Sequence, residues 1–222
     1  MVETVLQTIH NIKDFKVVYI CPDHNEKYHA RKLHMDELLN SIGFKDIVHF
    51  KSETNSYPLC LTIAFRDILL KYIDEPIIIL EDDVDSFPIY EFTIPLNADA
   101  LYLGLSICAA DSEKYCPYLY SQFETYSTSQ VIVKNMLATH AILYISRRYK
   151  EAVIHEMKEC IKSYDRYISD MAIAKIQKTY NIYANKIPTF YQSRQYNKEA
   201  KFDVEGATKI RVMDDLTVKQ IE

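Results

Sequence analysis

Ten consecutive residues constrain this chain more than any others: Pro76-Ile77-Ile78-Ile79-Leu80-Glu81-Asp82-Asp83-Val84-Asp85. Four apolar residues, three of them β-branched, run into four carboxylates within five positions. An apolar run without alternation is buried on both faces. That is the pattern of a central strand in a parallel sheet, and Pro76 suits its first position. The acids then stand at the carboxyl end of the strand, where open α/β sheets bind ligands. Carboxylates crowded in this way repel one another, and a divalent cation offsets the repulsion. Hard oxygen ligands suit Mn²⁺ or Mg²⁺. The competing reading is a polar turn, which more often carries Gly or Asn than four acids.

The flanking pattern supports an α/β sheet. Residues 15–21 read as a strand ended by Pro22, Asp23 and His24. A helix over 28–42 has Leu33, Leu38, Leu39 and Ile42 as its apolar stripe and Gly43 at the C′ position. A short strand over 46–50 leads through a polar loop to Pro58, which suits the start of a helix reaching residue 72. Alternating strands and helices with short connections argue for parallel pairing. The second half reads as strands over 100–105, 131–134 and 141–145, a Tyr-rich loop or hairpin over 111–128, and helices over 147–161 and 167–180. A last extended segment covers 181–187. The expected architecture is a central, mostly parallel mixed sheet flanked by helices. Residues 1–197 form one domain, and 198–222 a polar tail or the start of a linker to further domains.

Composition narrows the function. With 222 residues, 48% hydrophobic, the chain suits one domain with a sizeable core. Its net charge of −5 and lack of a basic block argue against nucleic-acid binding. Three glycines, Gly43, Gly104 and Gly206, leave no Walker loop and no Gly-x-Gly-x-x-Gly fingerprint. A phosphorylated ligand would then need a metal held by carboxylates, the reading the acidic motif already suggests. No apolar run reaches the length of a membrane span, and residues 1–16 show no signal-peptide core. Five widely spaced cysteines read as buried reduced thiols, so the expected compartment is the cytoplasm. Most of the 18 tyrosines read as half-buried packing residues with a polar tip.

Other constellations are weaker. His24, His29 and His34 are spaced by five, which on a helix turns each away from the last, so they read as surface residues. Only His24, in a strand-end loop, is of interest. Asp83-Val84-Asp85 is open to a haloacid-dehalogenase-type phosphatase reading, but there the nucleophile ends its strand directly, and here Glu81 and Asp82 intervene. Two-metal nucleases also use strand-end acids but need a basic track. On spacing alone, Asp170 is as well read as a helix N-terminal charge as a catalytic group. Arg66, Arg147, Arg148 and Arg194 each suit a phosphate, though a solvated arginine is the simpler reading of any one of them.

Leu80-Glu81-Asp82-Asp83-Val84 on its apolar strand resembles the metal-binding motif of GT-A glycosyltransferases, in the form found in glycosyltransferase family 25. Three further segments are similar to that family in the same order. They are Asp99-Ala100-Leu101-Tyr102-Leu103-Gly104, then Thr139-His140-Ala141-Ile142-Leu143-Tyr144-Ile145-Ser146-Arg147-Arg148, then Asp170 through Pro188 to Gln192. The match runs from about residue 56 to 193, and only the acidic motif is specific by itself. Over its length the chain is also similar to the N-terminal domain of chlorella-virus glycosyltransferases acting on capsid glycans.

The resemblance implies a GT-A fold and transfer of a hexose from a UDP-sugar to a glycan or glycoprotein acceptor. It implies Mn²⁺ or Mg²⁺ held by Asp83 and Asp85, with Glu81 or Asp82 at the ribose. Pro22, Asp23 and His24 would lie near the uracil, with Arg66 and Gln192 also on the donor. Asp170 would be the catalytic carboxylate, as base or as oxocarbenium stabiliser. The chain departs from the pattern in one respect: no histidine follows His155 to complete the metal shell, a place Gln192 or water would take. The alternative is a non-catalytic nucleotide-sugar-binding module on the same scaffold.

Overall fold

The computed structural model describes residues 8–52, 57–110, 115–163, 169–196 and 209–220. Eight strands build the central sheet: β1 (Lys16–Ile20), β2 (Ile47–Phe50), β3 (Ile77–Glu81), β4 (Ala100–Tyr102), β5 (Gln122–Thr125), β6 (Gln130–Asn135), β7 (Ala141–Tyr144) and β8 (Ile182–Asn185). Their spatial order is β5-β6-β8-β4-β7-β3-β1-β2. The pairings β2–β1, β1–β3 and β4–β8 are parallel, while β7 and β6 run against their neighbours. Six of the eight strands therefore point the same way, and their carboxyl ends form one edge. This is the mixed α/β sheet flanked by helices that the sequence predicts.

The acidic strand sits near the middle, as its apolar run requires. Ile77 and Ile79 enter the core on one face, and Ile78 and Leu80 the core on the other. All four are fully buried, each worth roughly 1.5–3 kcal/mol of transfer free energy. Helices α2 (Leu59–Lys71), α3 (Arg147–Lys162) and α4 (Ser169–Ile176) cover the first face through Phe65, Ile68, Leu69, Val153, Met157 and Ile173. Helix α1 (Glu26–Ile42) covers the second. Asn25 caps α1 by accepting from the Tyr28 amide, and Gly43 ends it at φ 92°, in the left-handed region that glycine tolerates. The buried stripe of α1 is Met35, Leu39 and Ile42, whereas Leu33 is exposed.

Two features depart from the expected layout. Asp82 and Asp83 lie in a turn, and the chain after them forms a short strand, Val84–Ser86, antiparallel to Phe190–Gln192. This ribbon passes over the carboxyl edge of the sheet. The second departure lies in the supposed tail. Ile210–Val212 and Val218–Gln220 pair as a hairpin, with Ile210 and Val212 buried in the first core. The Val212 amide bonds the Lys186 carbonyl at 2.8 Å, so this segment is packed on the body of the fold. Residues 198–208, also assigned to the tail, lie outside the described residues. Cys21, Cys60, Cys108 and Cys160 are buried thiols, and the side chain of Cys116 is likewise outside the description. Among the described residues, no helix is long and apolar enough to cross a membrane.

Candidate active site

Strand β3 delivers three carboxylates to the carboxyl edge, and the elements around it treat each one differently. Asp82 and Asp83 are 7% and 6% exposed. Arg31, from α1, reaches Asp82 Oδ1 with Nη1 at 2.6 Å and donates its Nη2 to the Tyr196 carbonyl. Burial alone would favour a neutral Arg31, but Asp82 and then Asp83 outweigh it and hold its pKa above the ordinary value. Asp83 receives one weak contact, Gln192 Nε2 at 3.5 Å from Oδ2. Its Oδ1 is buried with no protein partner. Burial, then the charge of Asp82, push Asp83 up to about 6 against the pull of Arg31.

Glu81 points to a different group. Thr139 Oγ1 lies 2.5 Å from Glu81 Oε1 and 2.9 Å from Asp170 Oδ1. A hydroxyl has one proton to give, so the second contact requires a proton on one of the two carboxyls. The electrostatics agree. Burial, then Asp83 and Asp170, raise Glu81 well above the carboxylate range, and burial raises Asp170 against the bonds from Thr139 and Ser169. Both residues keep partial contact with solvent. Asp170 stands in the first turn of α4, as its position in the sequence suggests. The last helix thus brings its acid to the motif on β3 across one threonine. Asp165, the neighbouring acid, lies outside the described residues.

Other expected residues sort into those at the site and those turned from it. Ile20 is in register with Glu81, so Pro22, Asp23 and His24 follow β1 out over the same edge. Asp23 adopts φ 51° and faces His29 at 3.4 Å, while His24 packs on Tyr28 at 4.8 Å between ring centroids. Gln192 reaches Asp83 from the ribbon. Asp85, expected beside Asp83, faces His34 Nε2 at 3.2 Å. Burial would raise its carboxyl, but His34 and Ser193 outweigh that and lower it. Arg66 pairs with its neighbour Asp67 at 2.7 Å. His34 is no surface residue: its side chain is 17% exposed, and its ring also bonds the Val84 carbonyl at 2.8 Å.

Arg31, Thr139 and Tyr57 are site residues that the sequence does not single out. Tyr57 is 82% exposed at the rim. Desolvation, then the charges of Glu81, Asp170 and Asp83, raise its pKa, and at such exposure the charges carry more weight. Gly104, at the end of the β4 segment, has a plain steric role: a Cβ there would stand 2.1 Å from His140 Nε2. His140 is buried, and burial lowers its pKa to about 4, so the ring is neutral.

Among the described residues, no three His, Cys, Asp or Glu side chains gather into a metal cage. The donors at hand are oxygens: the unpartnered Asp83 Oδ1, the Gln192 amide, and the neighbouring acids. That set fits Mg²⁺ or Mn²⁺ in the mode where one or two carboxylates share the ion with waters and substrate phosphates.

No family model matches the chain, and no curated protein matches it by sequence. Solved structures match only weakly. A197 from STIV superposes with a TM-score of 0.41 at 11% identity, over 94% of this chain and 95% of its own. UTP-bound UGPase from Acinetobacter baumannii gives 0.41 at 10% identity, over 86% and 80%. A second structure of that organism's UDP-glucose pyrophosphorylase gives 0.40 at 10%, over 87% and 81%. Likeness at this level carries no functional weight, and the site's own geometry carries the functional argument.

Proposed function

We propose that this chain is a metal-dependent glycosyltransferase that moves a hexose from a UDP-sugar to a glycan or glycoprotein acceptor. The observation that carries the reading is the state of the acids on β3. Asp83 keeps a buried oxygen without a donor, while Glu81 and Asp170 share a proton through Thr139. A diphosphate-bound cation meets the first need, and a carboxyl poised to take or give a proton is the second.

Asp83, with Gln192 beside it, would hold Mn²⁺ or Mg²⁺, which when bound neutralises charge on the departing UDP. Arg31 holds Asp82 in place, and the loop carrying Pro22, Asp23 and His24 supplies the wall for the nucleotide. Asp170, joined to Glu81 through Thr139, would stand on the sugar side of the donor. Its raised pKa suits a general base if transfer inverts, and its charge suits an oxocarbenium-like state if transfer retains.

Calorimetric titration with UDP tests the reading. Tight binding is expected with Mn²⁺ and not in EDTA, and Asp83→Ala should abolish the difference. Equal affinity with and without metal would overturn it.

A further inference from the structure

We infer that the cavity beneath the Glu91–Thr93 strand is a saccharide-binding site. It takes a neutral, hydroxyl-rich ligand on the same edge of the sheet as the acids. Its binding of sugar stands apart from the transferase reading; only its assignment to the acceptor rests on that reading.

The cavity has a volume of about 660 Å³, within the range of small-molecule pockets. Its position follows from the strand register. Ala184 aligns with Tyr102, Tyr102 with Ile142, and Ile142 with Ile79. Asn185, which lines the cavity, is therefore level with Leu80, the residue before Glu81. Three strand spacings separate them, about 14 Å, a span that a short oligosaccharide crosses. The chain itself joins the two places, since the ribbon strand Val84–Ser86 leaves the acids and Glu91–Thr93 lines the cavity.

The chemistry of the lining selects the ligand. Gln130 is 2% exposed. Its Nε2 donates to the Thr93 carbonyl at 2.8 Å and to Asn185 Oδ1 at 2.9 Å, which fixes the orientation of the amide. Its Oε1 is then a buried acceptor with no protein donor, a place that an O–H or N–H of a ligand, or a water beneath it, would fill. Formal charges in the lining cancel: Glu91 and Asp214 against Lys186 and Arg211. Lys186 is spent on Asp214 at 2.8 Å. No excess positive charge faces the cavity, which disfavours a phosphate or nucleotide. Apolar walls beside a few fixed polar groups match a pyranose, which has one apolar face and hydroxyls at its rim.

The test is NMR chemical-shift mapping on the whole chain, with methyl glycosides of glucose, galactose, mannose, rhamnose, fucose and xylose as probes. At least one should give saturable shifts centred on the amides of Ser129, Gln130, Lys186 and Val212. Gln130→Ala should weaken that probe about tenfold, the cost of one buried hydrogen bond. Because Gln130 also ties two strands, Thr128→Arg at the exposed rim is the second variant. It should block binding and leave the melting temperature unchanged. The inference fails if no glycoside gives saturable shifts there, if Thr128→Arg binds like the unaltered chain, or if N-acetylated dipeptide amides bind there in place of sugars. UDP with Mn²⁺ is titrated into the same samples. Sugar binding without UDP binding would sink the transferase reading alone, and UDP binding without sugar binding would sink this one alone.

Discussion

The two edges of the central sheet treat a buried carboxylate in opposite ways. At the amino edge, Asp99 precedes β4 and is 1% exposed. It accepts from Ser146 Oγ at 2.5 Å, from Arg148 Nε and Nη2 at 2.7 and 2.5 Å, and from the Asn181 amide at 2.9 Å. Burial would raise its pKa, but Arg148 and Ser146 outweigh it and lower it. At the carboxyl edge, Asp83 is about as buried, yet its one side-chain contact is weak, and burial with the charge of Asp82 outweighs the pull of Arg31 and a backbone hydrogen bond. A carboxylate saturated with donors is part of the scaffold. One left short of donors costs stability and is held there by its surroundings, the usual mark of a site that completes itself with a ligand.

The largest break in that comparison should come from Asp170. Asp170→Asn keeps the bond to Thr139 and the helix start, so folding and UDP affinity should survive. Transfer should fall by ~10²–10⁴-fold, the usual contribution of a general base, measured as sugar transfer against UDP titration on the same preparation. Near-normal transfer by this variant would remove Asp170 from the chemistry.

Asp99→Ala should come next, as a loss of stability without any direct loss of ligand. Removing the carboxylate leaves buried donors unpaired. Breaking a fully buried pair costs about 3–5 kcal/mol. The Arg148 side chain is 63% exposed and regains water, so about 2 kcal/mol is expected, read by urea denaturation. A loss below 0.5 kcal/mol would erase the contrast between the edges.

Asp83→Asn should move the other way. The protonated form of Asp83 is favoured in the fold, and an amide mimics it, so the variant should be more stable than the parent without metal, by about 1–2 kcal/mol. The sign with pH follows from linkage. Between about 4 and 6 the folded chain binds more protons at Asp83 than the unfolded chain, so stability falls as pH rises through that window. Asp83→Asn should flatten this fall in denaturation curves taken from pH 4 to 7. A variant less stable than the parent at pH 7, metal-free, would mean Asp83 is satisfied after all.

The same contrast explains what the sequence discloses. Strand β3, the α1 end at Gly43 and the span of α3 were legible because each is a local pattern of neighbours. So was the presence of acids at the carboxyl edge of the sheet. Arg31 was not, because its partner Asp82 is 51 positions away and its own helix is crowded with Lys and His. Thr139 stood in a segment similar to the family without a reason attached; only the fold shows it between two carboxyls. The 209–220 hairpin escaped because each strand is three residues long, too short for periodicity. His34 read as a surface residue because spacing tests only a helix's own face, and its partners Val84 and Asp85 come from the ribbon.

The smallest effect belongs to the amino edge. Lys150 is fully buried. Its ammonium donates to the carbonyl of Tyr72 at 2.8 Å, to that of Ile73 at 3.4 Å and to that of Glu75, closing the chain between α2 and β3. Burial lowers it to about 8 against the pull of Glu75 and Asp74. With the folded pKa below the ordinary 10.5, the unfolded chain binds more protons between pH 8 and 10.5, so stability should rise with pH across that window. Three carbonyl acceptors favour the ammonium and oppose the trend, which limits the gain to about 1 kcal/mol or less. Urea denaturation at pH 8 and pH 10 measures it, with Lys150→Met as the control. The variant should lose the pH slope and some stability at both values, because the carbonyls lose their donor. A stability that falls with pH in the parent, or a slope unchanged in Lys150→Met, would show that Lys150 is as well satisfied when charged as Asp99 is, and that the amino edge holds no strained charge at all.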